Sequence, residues 1–228
     1  MPTEKITYLP KLQGYDTGTI GGILAMPYWL KTFSTGYTDK DGNPAITASQ
    51  SSEIVSILSA GTFFGALTAA PACDFFGRRL GLMVSTIVFT IGVILQTAAT
   101  DIPLFVAGRF FAGYGVGMIS ASIPLYQSET APKWIRGTIV GSYQLAITIG
   151  LLLASVVDNA TKNRNDTGSY RIPIAVQFAW AIVLFVGMAI LPETPRMWIK
   201  RGKPERAAKS LSTLRRLDVD HPVSKRAR

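Results

Sequence analysis

The chain has 228 residues, with 23 Lys and Arg against 14 Asp and Glu, a formal net charge of +9, one Cys and one His. Charged residues at 16% and hydrophobic residues at 48% exclude a disordered polyelectrolyte. The lone Cys73 excludes an intrachain disulfide and a cysteine-rich zinc site. The lone His221 leaves no imidazole pair for a metal, so neither a cofactor nor enzymatic chemistry is expected.

Residues 1–13 form a polar leader with Glu4, Lys5, Pro10 and Lys11, and they lack the apolar core of a signal peptide. A first membrane span is expected over 14–30, weaker than the others because it carries Asp16 and Pro27. A polar loop follows over 31–52. Five further spans are expected over 54–72, 80–99, 104–123, 137–157 and 172–191, and Arg109 is the single full charge within them. Apolar runs of about 17–25 residues cross a bilayer core of roughly 30 Å as helices. A helix in water would need a solvated face that these segments lack. The turns between them are short and charged (Asp74–Arg79, Ser128–Arg136) or short and polar (Thr100–Pro103). The exception is 158–171, which carries two N-glycosylation sequons at Asn159 and Asn165 and therefore favours a lumenal or extracellular loop.

Basic residues give the orientation. With six spans, both termini share one side with 17 Lys and Arg, against 5 on the sequon side, so the termini are expected to be cytoplasmic. Residues 192–228 form a basic tail. Within it, 204–217 has Ala207, Ala208, Leu211, Leu214 and Leu217 at helical spacing, with Lys209, Arg215 and Arg216 between them. An amphipathic helix on the cytoplasmic membrane surface is expected there. A nucleic-acid-binding arm is the weaker reading, since the tail follows membrane helices without a long linker, and no nucleic-acid partner is expected. The expected fold class is an all-α membrane protein: a six-transmembrane-helix bundle over 14–191 plus a cytoplasmic amphipathic helix, with the lipid bilayer as its surroundings.

Asp16 and Arg109 are the two full charges inside expected spans, and such charges pair or face a cavity. They form either a titratable, proton-coupled pair or a fixed ion pair, or Asp16 merely sits at the interface. Gln144 and Gln177 lie in uncharged spans, where an amide can bond the hydroxyls of a polar ligand or a neighbouring helix. Gln96 is expected at the interface. Glycines at four-residue spacing (Gly14/Gly18/Gly22, Gly61/Gly65, Gly113/Gly117, Gly137/Gly141) are expected to let helices pack closely. Gly113-Tyr114-Gly115-Val116-Gly117 follows no strand and is not a dinucleotide loop. On the cytoplasmic side, Asp74 precedes Arg78 and Arg79, Glu129 precedes Lys133 and Arg136, and Glu193 precedes Arg196. The topology rule needs no acids, so these clusters are expected to form an ion-pair network.

Gly14-Tyr15-Asp16-Thr17-Gly18, Asp74-Phe75-Phe76-Gly77-Arg78-Arg79, Gly108-Arg109 with Gly113, Gly115 and Gly117, Tyr126 with Glu129, Ala131-Pro132 and Arg136-Gly137, and Pro192-Glu193-Thr194-Pro195-Arg196 together resemble the sugar porter family of the major facilitator superfamily, in its fungal monosaccharide (glucose-type) branch. The resemblance runs from Gly14 to Pro222. It implies a proton-coupled monosaccharide transporter of the plasma membrane working by alternating access, with Asp16 as proton-coupling carboxylate and Arg109 as its partner. Gln144 would contact the sugar, with Ile147 and Leu151 lining the same pocket. Asp74, Arg78, Arg79, Glu129, Arg136, Glu193 and Arg196 would form the cytoplasmic gate. Family members have two pseudo-symmetric halves with substrate between them, and six spans match the N-terminal half. A truncated or isolated half that does not transport alone is therefore expected, its partner a missing C-terminal half or a full-length porter. The rival expectation is a non-transporting sugar sensor or regulatory half. Family members normally have an apolar half of the first helix before the Gly-Tyr-Asp motif, where Lys11-Leu12-Gln13 stands here, so Asp16 is expected near the cytoplasmic interface.

Overall fold

The computed structural model describes residues 11–34, 37–38, 42, 44–131 and 134–215. Most of the leader, Lys133, Leu217 and His221, and the side chains of Arg136, Leu214 and Arg215, lie outside the described residues. The described residues form nine helices: α1 (Lys11–Ile23), α2 (Pro27–Phe33), α3 (Ala48–Phe76), α4 (Arg78–Ala98), α5 (Ile102–Thr130), α6 (Arg136–Thr161), α7 (Gly168–Ile190), α8 (Pro195–Lys200) and α9 (Pro204–Arg215). Five of them, α3 to α7, are long and apolar enough to cross a membrane.

Local chemistry sets the boundaries. Thr47 and Gln50 form a reciprocal capping box at the start of α3, with Thr47 Oγ1 accepting from the Gln50 N–H at 3.3 Å and Gln50 Oε1 from the Thr47 N–H at 3.2 Å. A single residue, Gly77, separates α3 from α4. Its φ of 106° is open to glycine and strained for other residues. The first expected span is broken: α1 has 13 residues and α2 has 7. Pro27 has no N–H to continue α1 but suits the first turn of a new helix.

Helix α5 is the packing centre, lying against α3 on one side and α4 on the other, while α1 packs on α6 and α7 on α4 and α1. Glycines bring backbones together. Gly61 and Gly65 sit on the carbonyls of Phe110 and Tyr114, Gly92 sits on Ala112, and Gly115 sits on Phe89. Along the α1–α6 seam Gly14 meets the Ile147 carbonyl, Gly18 meets Ala154, and Gly150 meets the α1 backbone at Lys11 and Tyr15. Small residues at four-residue spacing allow this approach, and dispersion between backbones drives it where lipid offers no hydrophobic contrast. Gly137 and Gly141 differ from expectation: a Cβ on either would meet nothing within 4 Å, so their spacing marks an open face. The core beside the α1–α2 break is aromatic, with Trp29 stacked on Phe33 at 5.0 Å and Phe105 and Tyr170 edge-on to them. Phe63, Phe64 and Leu67 on α3 and Leu145, Leu152 and Val156 on α6 are exposed, a surface suited to hydrocarbon or to another protein face.

Helix α9 is amphipathic as expected, but its small apolar face is turned toward protein. Ala207 and Ala208 are fully buried, α9 packs on α8, Ser210 Oγ donates to the Glu193 carbonyl, and Arg206 lies 5.2 Å over the Trp198 ring. Alanines are short enough for the two helices to close on each other, which leaves little of that face for lipid.

Candidate functional site

Asp16, on α1, is fully buried. Its Oδ1 accepts from Arg109 NH1 at 3.4 Å and from Gln177 Nε2 at 3.1 Å, so one carboxylate oxygen joins α1, α5 and α7. Asp16 stands just over one turn into α1 as described from Lys11, with its side chain turned into the bundle between α5 and α7. Arg109 is 1% exposed. Among the described residues, Asp16 Oδ2, Arg109 Nε and NH2, and Gln177 Oε1 have no hydrogen-bond partner. Buried charges demand full pairing to offset their desolvation, and this pair holds capacity in reserve. It can take up a proton at the carboxylate and offer guanidinium N–H groups to another acceptor. Tyr15, one residue before Asp16, donates to the Pro173 carbonyl at 3.1 Å and lies 6.5 Å from the Trp180 ring, bracing α1 on α7.

Gln144, Ile147 and Leu151 lie apart from this cluster. Gln144 is exposed, Leu151 is 38% exposed with a methyl beside Gly18, and Ile147 is partly buried with its carbonyl on Gly14. Ile147 and Leu151 border α1, Gln144 lies about one turn before Ile147 on α6, and among the described residues none bonds Asp16. Gln96, near the end of α4, is buried against α5, with its Nε2 donating to the Gly108 carbonyl at 3.4 Å.

At the end of the bundle carrying α8, the expected network forms with altered partners. Arg78 bonds Asp74 at 2.6 Å and reaches Glu129 at 3.5 Å, Arg196 reaches Glu129 at 3.9 Å, and Lys200 bonds Asp74 at 2.9 Å. Arg79 enters no ion pair among the described residues. Its guanidinium donates to the carbonyls of Met188 and Ala189 at the end of α7, where the helix dipole is negative. Glu193 in turn accepts from the Arg79 backbone N–H at 3.1–3.2 Å, placing an anion at the start of α4. Tyr126 closes the same corner by donating to the Pro192 carbonyl at 2.7 Å. Lys200, Arg201 (on the Phe75 carbonyl at 2.6 Å) and Gln177 as a ligand of Asp16 were not legible as site residues. A Lys in a basic tail or a Gln in an apolar helix carries no sequence mark of what it will touch. At the far end of α6, Asn159 and Asn165 are exposed, and Arg164 and Asp166 pair with each other at 3.0 Å, which holds the Asp166 carboxyl below the usual carboxylate range.

Residues 6–226 match the family described as "Sugar (and other) transporter", and the chain belongs to that family. It is 70% identical over 210 residues to the major facilitator-type transporter ecdD of Aspergillus rugulosus, covering 92% of this chain and 39% of that protein. It is 56% identical to the probable glucose transporter rco-3 of Neurospora crassa, covering 93% and 36%. It is 47% identical to the high glucose sensor RGT2 of Saccharomyces cerevisiae, covering 92% and 27%. Among solved structures, the proton:xylose symporter XylE bound to 6-bromo-6-deoxy-D-glucose superposes with a TM-score of 0.84 at 25% identity, over 99% of this chain and 50% of that one. The chain therefore has the major facilitator fold, corresponds to its N-terminal half, and spans well under two thirds of its relatives' length.

Proposed function

We propose that this chain is the N-terminal half of a proton-coupled monosaccharide (hexose-type) transporter that works by alternating access. The observation that carries the reading is the buried junction of Asp16, Arg109 and Gln177. Ionised, Asp16 ties α1 to α5 through Arg109. Protonated, it loses its charge and frees the guanidinium, so α1 can shift against α5. Sugar would lie beside Gln144, Ile147 and Leu151, on the face that a second half completes. Asp74, Arg78, Glu129, Glu193 and Arg196, with Arg79 as a helix-end clamp and Arg136 at the start of α6, would hold the cytoplasmic gate shut. The basic-residue asymmetry supports cytoplasmic termini, and Asn159 and Asn165 would face outside as glycosylation sites in the plasma membrane. A proton-coupled symporter among the structural neighbours supports the coupling.

The test is uptake of labelled hexose into vesicles. The chain alone is expected to give none. Supplying a complementary C-terminal half is expected to give uptake driven by an inward proton gradient, and Asp16→Asn should remove the gradient dependence. Uptake indifferent to the gradient in both proteins overturns the coupling, and Asp16-dependent uptake by the chain alone overturns the need for a partner. The 47% identity to a glucose sensor favours a second reading, a non-transporting sensor or regulatory half bound to a full-length porter. That reading requires sugar-dependent quenching of tryptophan fluorescence and co-purification with a porter, without flux.

A further inference from the structure

Asp158 stands near the end of α6, 7% exposed, and belongs to neither the Asp16 junction nor the ion-pair network. Its backbone carbonyl has ordinary helix duties, accepting from the Lys162 N–H at 2.9 Å and from Thr161 Oγ1 at 3.3 Å. Its carboxylate does not. Among the described residues Oδ1 has no hydrogen-bond partner, and the group is turned against α1 so closely that a Cβ at Gly22 would strike Oδ2, Cγ and Cβ of Asp158. The carboxylate fills the gap that glycine leaves at the last contact of the α1–α6 seam, after Gly14 on Ile147 and Gly18 on Ala154.

The surroundings supply no counter-charge. On α1, Tyr15 lies within electrostatic reach, but its hydroxyl is committed to Pro173, and Asp16 is engaged by Arg109 and Gln177. Lys11 belongs to the opposite end of α1, beside Gly150. On α7, Arg171 lies 5.8 Å over the Tyr170 ring. In the connecting segment Lys162 is exposed and Arg164 is spent on Asp166. Among the described residues no cation lies within ion-pairing distance of Asp158. A carboxylate taken out of water without a cation must be rehydrated or bind a proton.

We propose that Asp158 is a second proton-binding site, whose protonation closes the Gly22 end of the α1–α6 seam and whose ionisation opens it. The neutral acid can donate its O–H to a carbonyl of its own preceding turn and tolerates contact with the Gly22 backbone. The anion has only water to turn to, and hydrating the buried Oδ1 favours parting of the helices at Gly22. The inference stands apart from the role proposed for Asp16, which sits on a different face of α1 with its own partners.

The test uses the full chain in lipid vesicles, with Cys73→Ser to leave two labelling sites. Spin labels go on Gly21→Cys of α1 and Val156→Cys of α6, both exposed and both near the seam's end. Between about pH 5 and about pH 9, the range over which buried carboxylates titrate, the inter-label distance is expected to lengthen in one step as pH rises. Asp158→Asn should hold the short distance at every pH, while Asp16→Asn should keep the wild-type response. A response that survives in Asp158→Asn, or is lost in Asp16→Asn alone, overturns the proposal, as does a pH-independent wild type. Should Asp158→Asn fail to insert, Asp158→Glu keeps a titratable group and is expected to move the midpoint, and an unmoved midpoint overturns the proposal equally.

Discussion

Burial decides which charged residues matter for stability. Glu129 is 3% exposed at its side chain and faces Arg78 and Arg196, whereas the Lys200–Asp74 pair is 60% and 49% exposed. Removing one partner of a buried pair leaves an uncompensated charge and costs about 3 kcal/mol, while an exposed pair contributes under about 1 kcal/mol. Glu129→Gln is therefore expected to lower the unfolding temperature in detergent clearly, and Lys200→Ala to leave it almost unchanged. Equal effects would contradict this ranking. At the Asp16 junction, Asp16→Asn and Arg109→Gln should each destabilise by about 3–5 kcal/mol, because each strands the other's charge. The double variant should be more stable than the sum of the two losses predicts, and a double-mutant cycle giving zero coupling would show that the pair is not an interacting unit. Both residues were legible from sequence as charges inside apolar helices. Gln177 was legible only as a buried amide, since its spacing from Asp16 says nothing about which helix α7 will meet.

Between helices, glycine spacing has two meanings that sequence does not separate. Gly65 lies on the Tyr114 carbonyl, so the methyl of Gly65→Ala overpacks the α3–α5 contact and is expected to cost about 1–3 kcal/mol. Gly141 has open space where its side chain would go, so Gly141→Ala should be neutral or stabilising by up to about 1 kcal/mol through helix propensity. Chemical unfolding in mixed micelles compares the two, and a larger loss at Gly141 would reverse the assignment of the packed face. The α1–α2 break was visible as Pro27 but not as a break, because a proline at a helix start and a proline inside a kinked helix look alike in one dimension. The turn of α9 toward α8 was likewise hidden: a periodic Ala-Leu face fits a membrane surface and a protein surface equally well.

For the molecule as a whole, the +9 charge is unevenly distributed, with 17 Lys and Arg on the side of the termini against 5 on the sequon side, the asymmetry expected of a sided membrane protein. The chain is expected to stay with the membrane fraction through high-salt and alkaline washing, and release by salt alone would restore the nucleic-acid reading. The proposed outside placement of the sequon loop predicts that endoglycosidase treatment raises the chain's mobility and that Asn159→Gln with Asn165→Gln abolishes that shift. A shift persisting in the double variant would place the glycan elsewhere. The five long apolar helices and the two charges Asp16 and Arg109 were legible in the sequence, because each is a matter of local composition: a bilayer selects apolar length, and a charge among apolar residues is conspicuous wherever it is found. Tertiary structure alone decided that Gln177 completes the Asp16 site, that Arg79 clamps the end of α7 while Glu193 caps α4, and that Asp158 is sealed against Gly22. Those outcomes depend on which helix faces which across the bundle, and that follows from the packing of whole surfaces.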